Sequence, residues 1–226
     1  MQAYKRLVHS RVLNRMAHAD VFEIGSVPEL LFVLFGGSGL DQEEYDRRSR
    51  SIIPVFTPLL QGLASHSLDL VMVYVSAPYD LPFNRFATDH RAAVTWNVHV
   101  ASEMLEPWAR LPFFVTGFSG GVSLGLHGLH EMPRCFGGAG LGADAIPRDF
   151  VCPDHWVEKL WLYVAPQDRV ANHPVNRNLT EALVTRGQAK VVRLPAGGHQ
   201  LADYATEDGL GGLIRLASTL VPGRSG

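Results

Sequence analysis

The sequence predicts an α/β fold with a mostly parallel central sheet, helices on both faces and an antiparallel start. Three observations carry this. Short, wholly apolar runs recur along the chain and stop at glycine-, proline- or serine-rich segments. Such runs read as strands buried on both faces. Helix-length stretches separate them, which implies right-handed crossovers. The first thirty residues instead read as a hairpin, with "YKRLVHSRVL" turning through "NRMAHAD" into "VFEI".

The elements follow in order. The strand candidates are "LLFVLF" (30–35), "LDLVMVYV" (68–75), "PFFVT" (112–116), a weaker "RCFGGAG" (134–140), "KLWLYVA" (159–165) and "AKVVRLP" (189–195). The first helix is expected over 54–65, because Pro54 suits a first helical turn. Residues 88–109 place Ala92, Trp96, His99, Val100 and Met104 at helical spacing. Residues 119–132 form a short glycine-rich helix candidate. Residues 172–187 end at Gly187, a good C-terminal stop. One last helix is expected over 203–220, and its "LGGLIRLASTLV" could carry a partner surface.

Composition narrows the function classes. The 226 residues suit one domain, 1–226, with no convincing linker and no repeat. Hydrophobic residues are 46%, charged residues 19%, and the net charge is −2. That balance points to neither nucleic acid nor membrane. The N-terminus lacks the apolar core of a signal peptide, so a cytoplasmic protein is expected. Cys135 and Cys152 are too few for a disulfide scaffold and read as buried small hydrophobes. His127 and His130 invite a metal reading, but no third ligand has clear spacing, and no metal is expected.

Ligands of open parallel sheets bind beyond the carboxyl ends of the strands. There this chain carries "GGSG", "GFSGG", "PQDRV" and "AGGHQ". A serine, an aspartate and a histidine thus fall at one edge, on different strands, in the order Ser119, Asp168, His199. "GFSGG" is a G-x-S-x-G motif between a strand and a helix, the context that holds a serine on a sharp turn. Asp144, Asp149 and Asp154 follow an earlier strand and compete with Asp168 for the acid role.

With "FGGSG", "GFSGG", "APQDRV" and "GGHQ" in this order, the chain resembles the α/β-hydrolase family over nearly its whole length. The resemblance implies that Ser119 is the nucleophile, His199 the general base and then acid, and Asp168 the orienting acid. It also implies an oxyanion hole built from Gly120 and Gly37, with Ser38 as the alternative donor. Phe35 stands where family esterases often carry histidine. The resemblance implies no cofactor. The expected substrate is a small-molecule ester or acyl compound. Thioesterase, amidase, peptidase and acyltransferase activity, or ligand binding without turnover, are the alternatives, because the triad does not distinguish them.

The loop 140–156 is too short for a large cap, so a minimal cap is expected. Candidate pocket walls are Tyr79, Phe83, Phe86, Phe118, Ile146, Phe150 and Trp156, the loop aromatics alternatively packing against the body. The run "DQEEYDRRSR" (41–50) reads as a solvated, self-paired loop, with Arg47, Arg48 and Arg50 as possible guides for an anionic substrate. Oligomeric state is not legible.

Overall fold

A computed structural model describes residues 1–11, 15–37, 42–65, 68–75, 99, 101–129, 132–143, 146, 150–158 and 160–222. The strands are β1 (Gln2–Ser10), β2 (Arg15–Ile24), β3 (Leu30–Phe35), β4 (Leu70–Val75), β5 (Phe113–Phe118), β6 (Cys135–Leu141), β7 (Leu160–Val164) and β8 (Ala189–Arg193). They form one sheet in the order β1-β2-β4-β3-β5-β6-β7-β8. β2 is antiparallel to β1 and β4, and every later pairing is parallel. The apolar runs thus become strands, and the hairpin start supplies the antiparallel edge.

Period-two alternation sends each strand's side chains to two cores. Leu31, Val33 and Phe35 of β3 join Val122 and Leu126 on one face; Leu30, Phe32 and Leu34 join Phe56 and Leu60 on the other. The helices are α1 (Gln42–Ala64), α2 (Gly121–Gly128), α3 (Pro174–Thr185), α4 (Leu201–Tyr204) and α5 (Gly212–Thr219). α1 and α5 cover one face, α2 and α3 the other. α3 stops before Gly187, whose φ is +68°. The chain leaves β3 for β4 on one side and later places β5 on the other. This reversal opens a crevice at the carboxyl ends of β3 and β5.

Two expectations are corrected, and a third is strengthened. α1 begins at Gln42, twelve residues before Pro54, so the charged run is helix and not loop. Glu, Gln and Arg are good helix formers. Pro54 and Pro58 lie inside the helix and are exposed, each removing one helical N–H donor. The last helix is broken: α4, a wide turn over Glu207–Gly211 and α5 replace it, with Gly209 off helical geometry. Thr206 accepts the Gly209 N–H and starts the chain afresh. The weak strand candidate is a fully buried seven-residue strand, β6. Its glycines are required because bulky neighbours lie directly over them: a Cβ on Gly138 would stand 2.5 Å from the Trp156 ring.

Residues 99 and 101–105 are helical, burying Ala101 and Met104 but exposing His99; Ala92, Trp96 and Val100 lie outside the described residues. No described helix is long and apolar enough to cross a membrane.

Candidate active site

Ser119 follows β5 with φ 53°, the one non-glycine residue with positive φ among the described residues. Such a conformation is strained for a residue with a Cβ and persists only when its surroundings hold it. Here they do. The Ser119 N–H donates to Leu141 O at 2.9 Å, tying the turn to the end of β6. A Cβ on Gly117 would lie 2.2 Å from the Gly121 carbonyl carbon, so strand and helix cross without side chains between them.

The three residues from different strand ends meet. His199 Nε2 lies 2.9 Å from Ser119 Oγ. His199 Nδ1 lies 2.9 and 2.8 Å from the two carboxylate oxygens of Asp168. Asp168 is fully buried, Ser119 is 8% exposed, and the His199 side chain is 23% exposed. Asp168 Oδ1 also accepts the N–H groups of Val170 (2.9 Å) and Ala171 (2.8 Å). Tyr204 donates its hydroxyl to Oδ2 at 2.5 Å. Burial pushes the Asp168 carboxyl up, but the hydrogen bonds from His199, Tyr204 and Ala171 outweigh it and hold the group below the ordinary aspartate value. The carboxylate is therefore an acceptor, so Nδ1 carries the proton. Nε2 is left with its lone pair toward the serine hydroxyl.

Gly120 and Gly37 flank the serine. Gly120 is the N-cap of α2, so its N–H sits at the positive end of that helix. A Cβ on Gly37 would stand 3.6 Å from the Ser119 Cβ and 3.4 Å from the Phe118 ring, so the loop after β3 passes beside Ser119. Ser38 lies outside the described residues, as do Tyr79, Phe83, Phe86, His130, Asp144 and Asp149. Arg47, Arg48 and Arg50 fall in α1. Asp154 is exposed.

The pocket-wall residues divide. Phe118 is buried with its ring 5.0 Å from His199, under the imidazole. Phe150 and Trp156 are 4% and 8% exposed, with rings 6.1 Å apart. Trp156 lies over Gly138, which pairs with Val115, four residues short of Ser119. Both, with Ile146, belong to the core beneath the sheet and take the packing alternative. The described residues of 142–158 form no cap helix. A cavity of about 300 Å³ among Leu31, Leu105, Trp108, Phe113 and Met132 opens at the start of β3 and β5, the sheet edge opposite Ser119.

Sequence reasoning missed Asp203 and Tyr204. The spacing Gln200–Asp203 is a capping-box signal and could have placed a helix start beside His199. Nothing local marked Tyr204.

No protein-family model matches the sequence, and no curated protein matches it. Solved structures do match. An enterochelin esterase from Shigella flexneri superposes with a TM-score of 0.66 at 20% identity, covering 97% of this chain and 59% of that one. This chain therefore spans about three fifths of that protein. Esterase PE8 superposes with a TM-score of 0.61 at 16% identity, covering 89% and 97%. A Xanthomonas campestris protein described as an α/β serine hydrolase without a lid gives 0.60 at 15%, covering 100% and 98%. At such identities the likeness shows the fold, which is that of the α/β hydrolases.

Proposed function

We propose that this chain is a serine esterase, cleaving the carboxylic ester of a small or accessible substrate through an acyl-enzyme. One observation carries the reading: a serine on a strained turn, hydrogen-bonded to an imidazole whose far nitrogen is held by a buried carboxylate. Ser119 Oγ attacks the ester carbonyl while His199 Nε2 takes its proton. Asp168 keeps Nδ1 protonated and stabilises the imidazolium. The Gly120 and Gly37 N–H groups receive the developing oxyanion, a contribution of about 3 kcal/mol per donor. The imidazolium then gives its proton to the leaving alkoxide. Water repeats the sequence on the acyl-enzyme, releasing the acid and restoring Ser119. The steps need no metal or organic cofactor.

Two features support an ester of accessible shape. The matched structures include proteins named as esterases. The described part of the β6–β7 connection adds no helix over the serine.

The test is labelling by a fluorophosphonate probe. The folded wild type should label, and Ser119→Ala should not; an unlabelled wild type removes the reading. A panel of p-nitrophenyl esters, acyl thioesters and anilides then ranks the substrates. Turnover led by anilides or thioesters would move the assignment to an amidase or thioesterase on the same residues.

A further inference from the structure

His199 and Asp168 come from loops after different strands, β8 and β7. Their hydrogen bond works only if both loops keep their separation. α4, directly after His199, touches both. Asp203 Oδ2 accepts the N–H of Gly198 at 3.0 Å and of Gln200 at 3.1 Å, the two residues flanking His199. The next residue, Tyr204, is fully buried and donates to Asp168 Oδ2. The Tyr204 oxygen also accepts the Ala165 N–H at 3.1 Å, at the end of β7. Its ring stands 5.7 Å from Phe118, which lies under His199. A Cβ on Gly142 would come within 2.7 Å of Asp168 Oδ2 and 3.0 Å of the Tyr204 oxygen, so the third side of this junction is closed by backbone.

We infer that Asp203 and Tyr204 are positioning residues, a two-point brace in which consecutive residues of α4 hold the two ends of the His199–Asp168 hydrogen bond in register. Asp203 holds the histidine loop and Tyr204 the carboxylate. Because they are adjacent in one helical turn, the distance between the two anchors is set by covalent geometry. The division of labour at Asp168 fits this. His199 Nδ1 reaches both oxygens, but Oδ1 is otherwise held by backbone amides, whereas Oδ2 has Tyr204 as its further partner among the described residues. Tyr204 also draws charge from Oδ2 and so moderates the pull of Asp168 on the imidazolium. The titratable groups described around this bond are Asp168 from the β7 loop and Asp203 and Tyr204 from α4.

The inference rests on the esterase reading for its catalytic consequence, but its structural core is testable without turnover. Tyr204→Phe keeps the ring and removes the donor. Its kcat should fall about tenfold with KM within about twofold, the size expected for one charge-assisted hydrogen bond. The low-field NMR resonance of the His199 Nδ1 proton, a signature of its hydrogen bond to Asp168, should shift and broaden in this variant, because a carboxylate released from Tyr204 no longer stands in register with Nδ1. Asp203→Ala should lose activity similarly, and Asp203→Asn, which keeps an acceptor oxygen, should recover most of it. Melting curves check that each variant is folded. A Tyr204→Phe protein with an unchanged His199 Nδ1 proton resonance overturns the brace. So does an Asp203→Asn variant no better than Asp203→Ala. If the wild type escapes the fluorophosphonate but the Nδ1 proton resonance still shifts in Tyr204→Phe, the brace stands and the esterase reading falls.

Discussion

Gly121 rests on the backbone of Gly36: a Cβ there would lie 2.3 Å from Gly36 O and 2.4 Å from Phe35 O. The first turn of α2 is thus pressed onto the end of β3, which brings the Gly37 loop beside Ser119. Backbone cannot step aside as a side-chain tip can. Gly121→Ala should lower stability by about 2–3 kcal/mol, seen as a melting temperature lowered by roughly 4–12 °C. Its residual folded fraction should also lose ester turnover, because the β3 loop must retreat. A variant with wild-type melting and turnover would contradict this packing.

Asp168 links activity to acid stability. The fold holds its carboxyl below the ordinary value, so the ionised form stabilises the native state. That contribution is complete above the unfolded value of about 4 and is lost as pH falls through the lower folded value. The stability gap between wild type and Asp168→Asn should therefore be widest near neutrality and close on acidification. Denaturant melts across pH measure it. Turnover of the variant should drop about 10³–10⁴-fold, since an amide no longer fixes the imidazole tautomer.

Trp156 separates packing from substrate contact. Trp156→Ala should cost about 3–5 kcal/mol, because it empties the space over Gly138. The KM of the fraction that stays folded should be unchanged across the ester panel. A change in acyl-chain preference would return Trp156 to the pocket.

Far from the site, Lys5 and Asp20 join β1 to β2 at 2.9 Å. Asp20 is buried and its carboxyl is raised, with burial outweighing the attraction of Lys5. A raised folded value means that its protonation favours the native state, so stability tied to this group rises as pH falls through that value. Lys5→Met should destabilise by about 1 kcal/mol at neutral pH, with water at the partly exposed lysine softening the loss. The loss should fade on acidification as Asp20 takes a proton. Urea melts at neutral and acidic pH measure both.

Burial pushes the Cys135 thiol up to about 12, while Cys152 is only half-buried. A thiol reagent should reach at most Cys152 in the native protein, and both after unfolding. Mass spectrometry after timed alkylation reads this directly.

The strand set and the order of the site residues were legible because both are local properties. An apolar run such as "LLFVLF" has few alternatives to a doubly buried strand, and strand ends mark the functional edge. Ser119 could be singled out because its glycine neighbours, Gly117 and Gly121, are demanded by the turn itself. What stayed hidden depends on residues distant in sequence. The glycines of β6 are there because Phe114, Trp156 and Val122 cover Gly137, Gly138 and Gly140. Phe150 and Trp156 are core because their loop folds beneath the sheet. α4 matters because it meets the β7 loop, 36 residues away at Asp168. The sequence by itself determined which residue types stand at the strand ends. Only tertiary structure decided which of them touch, because a contact between two loops is set by the packing of everything that separates them.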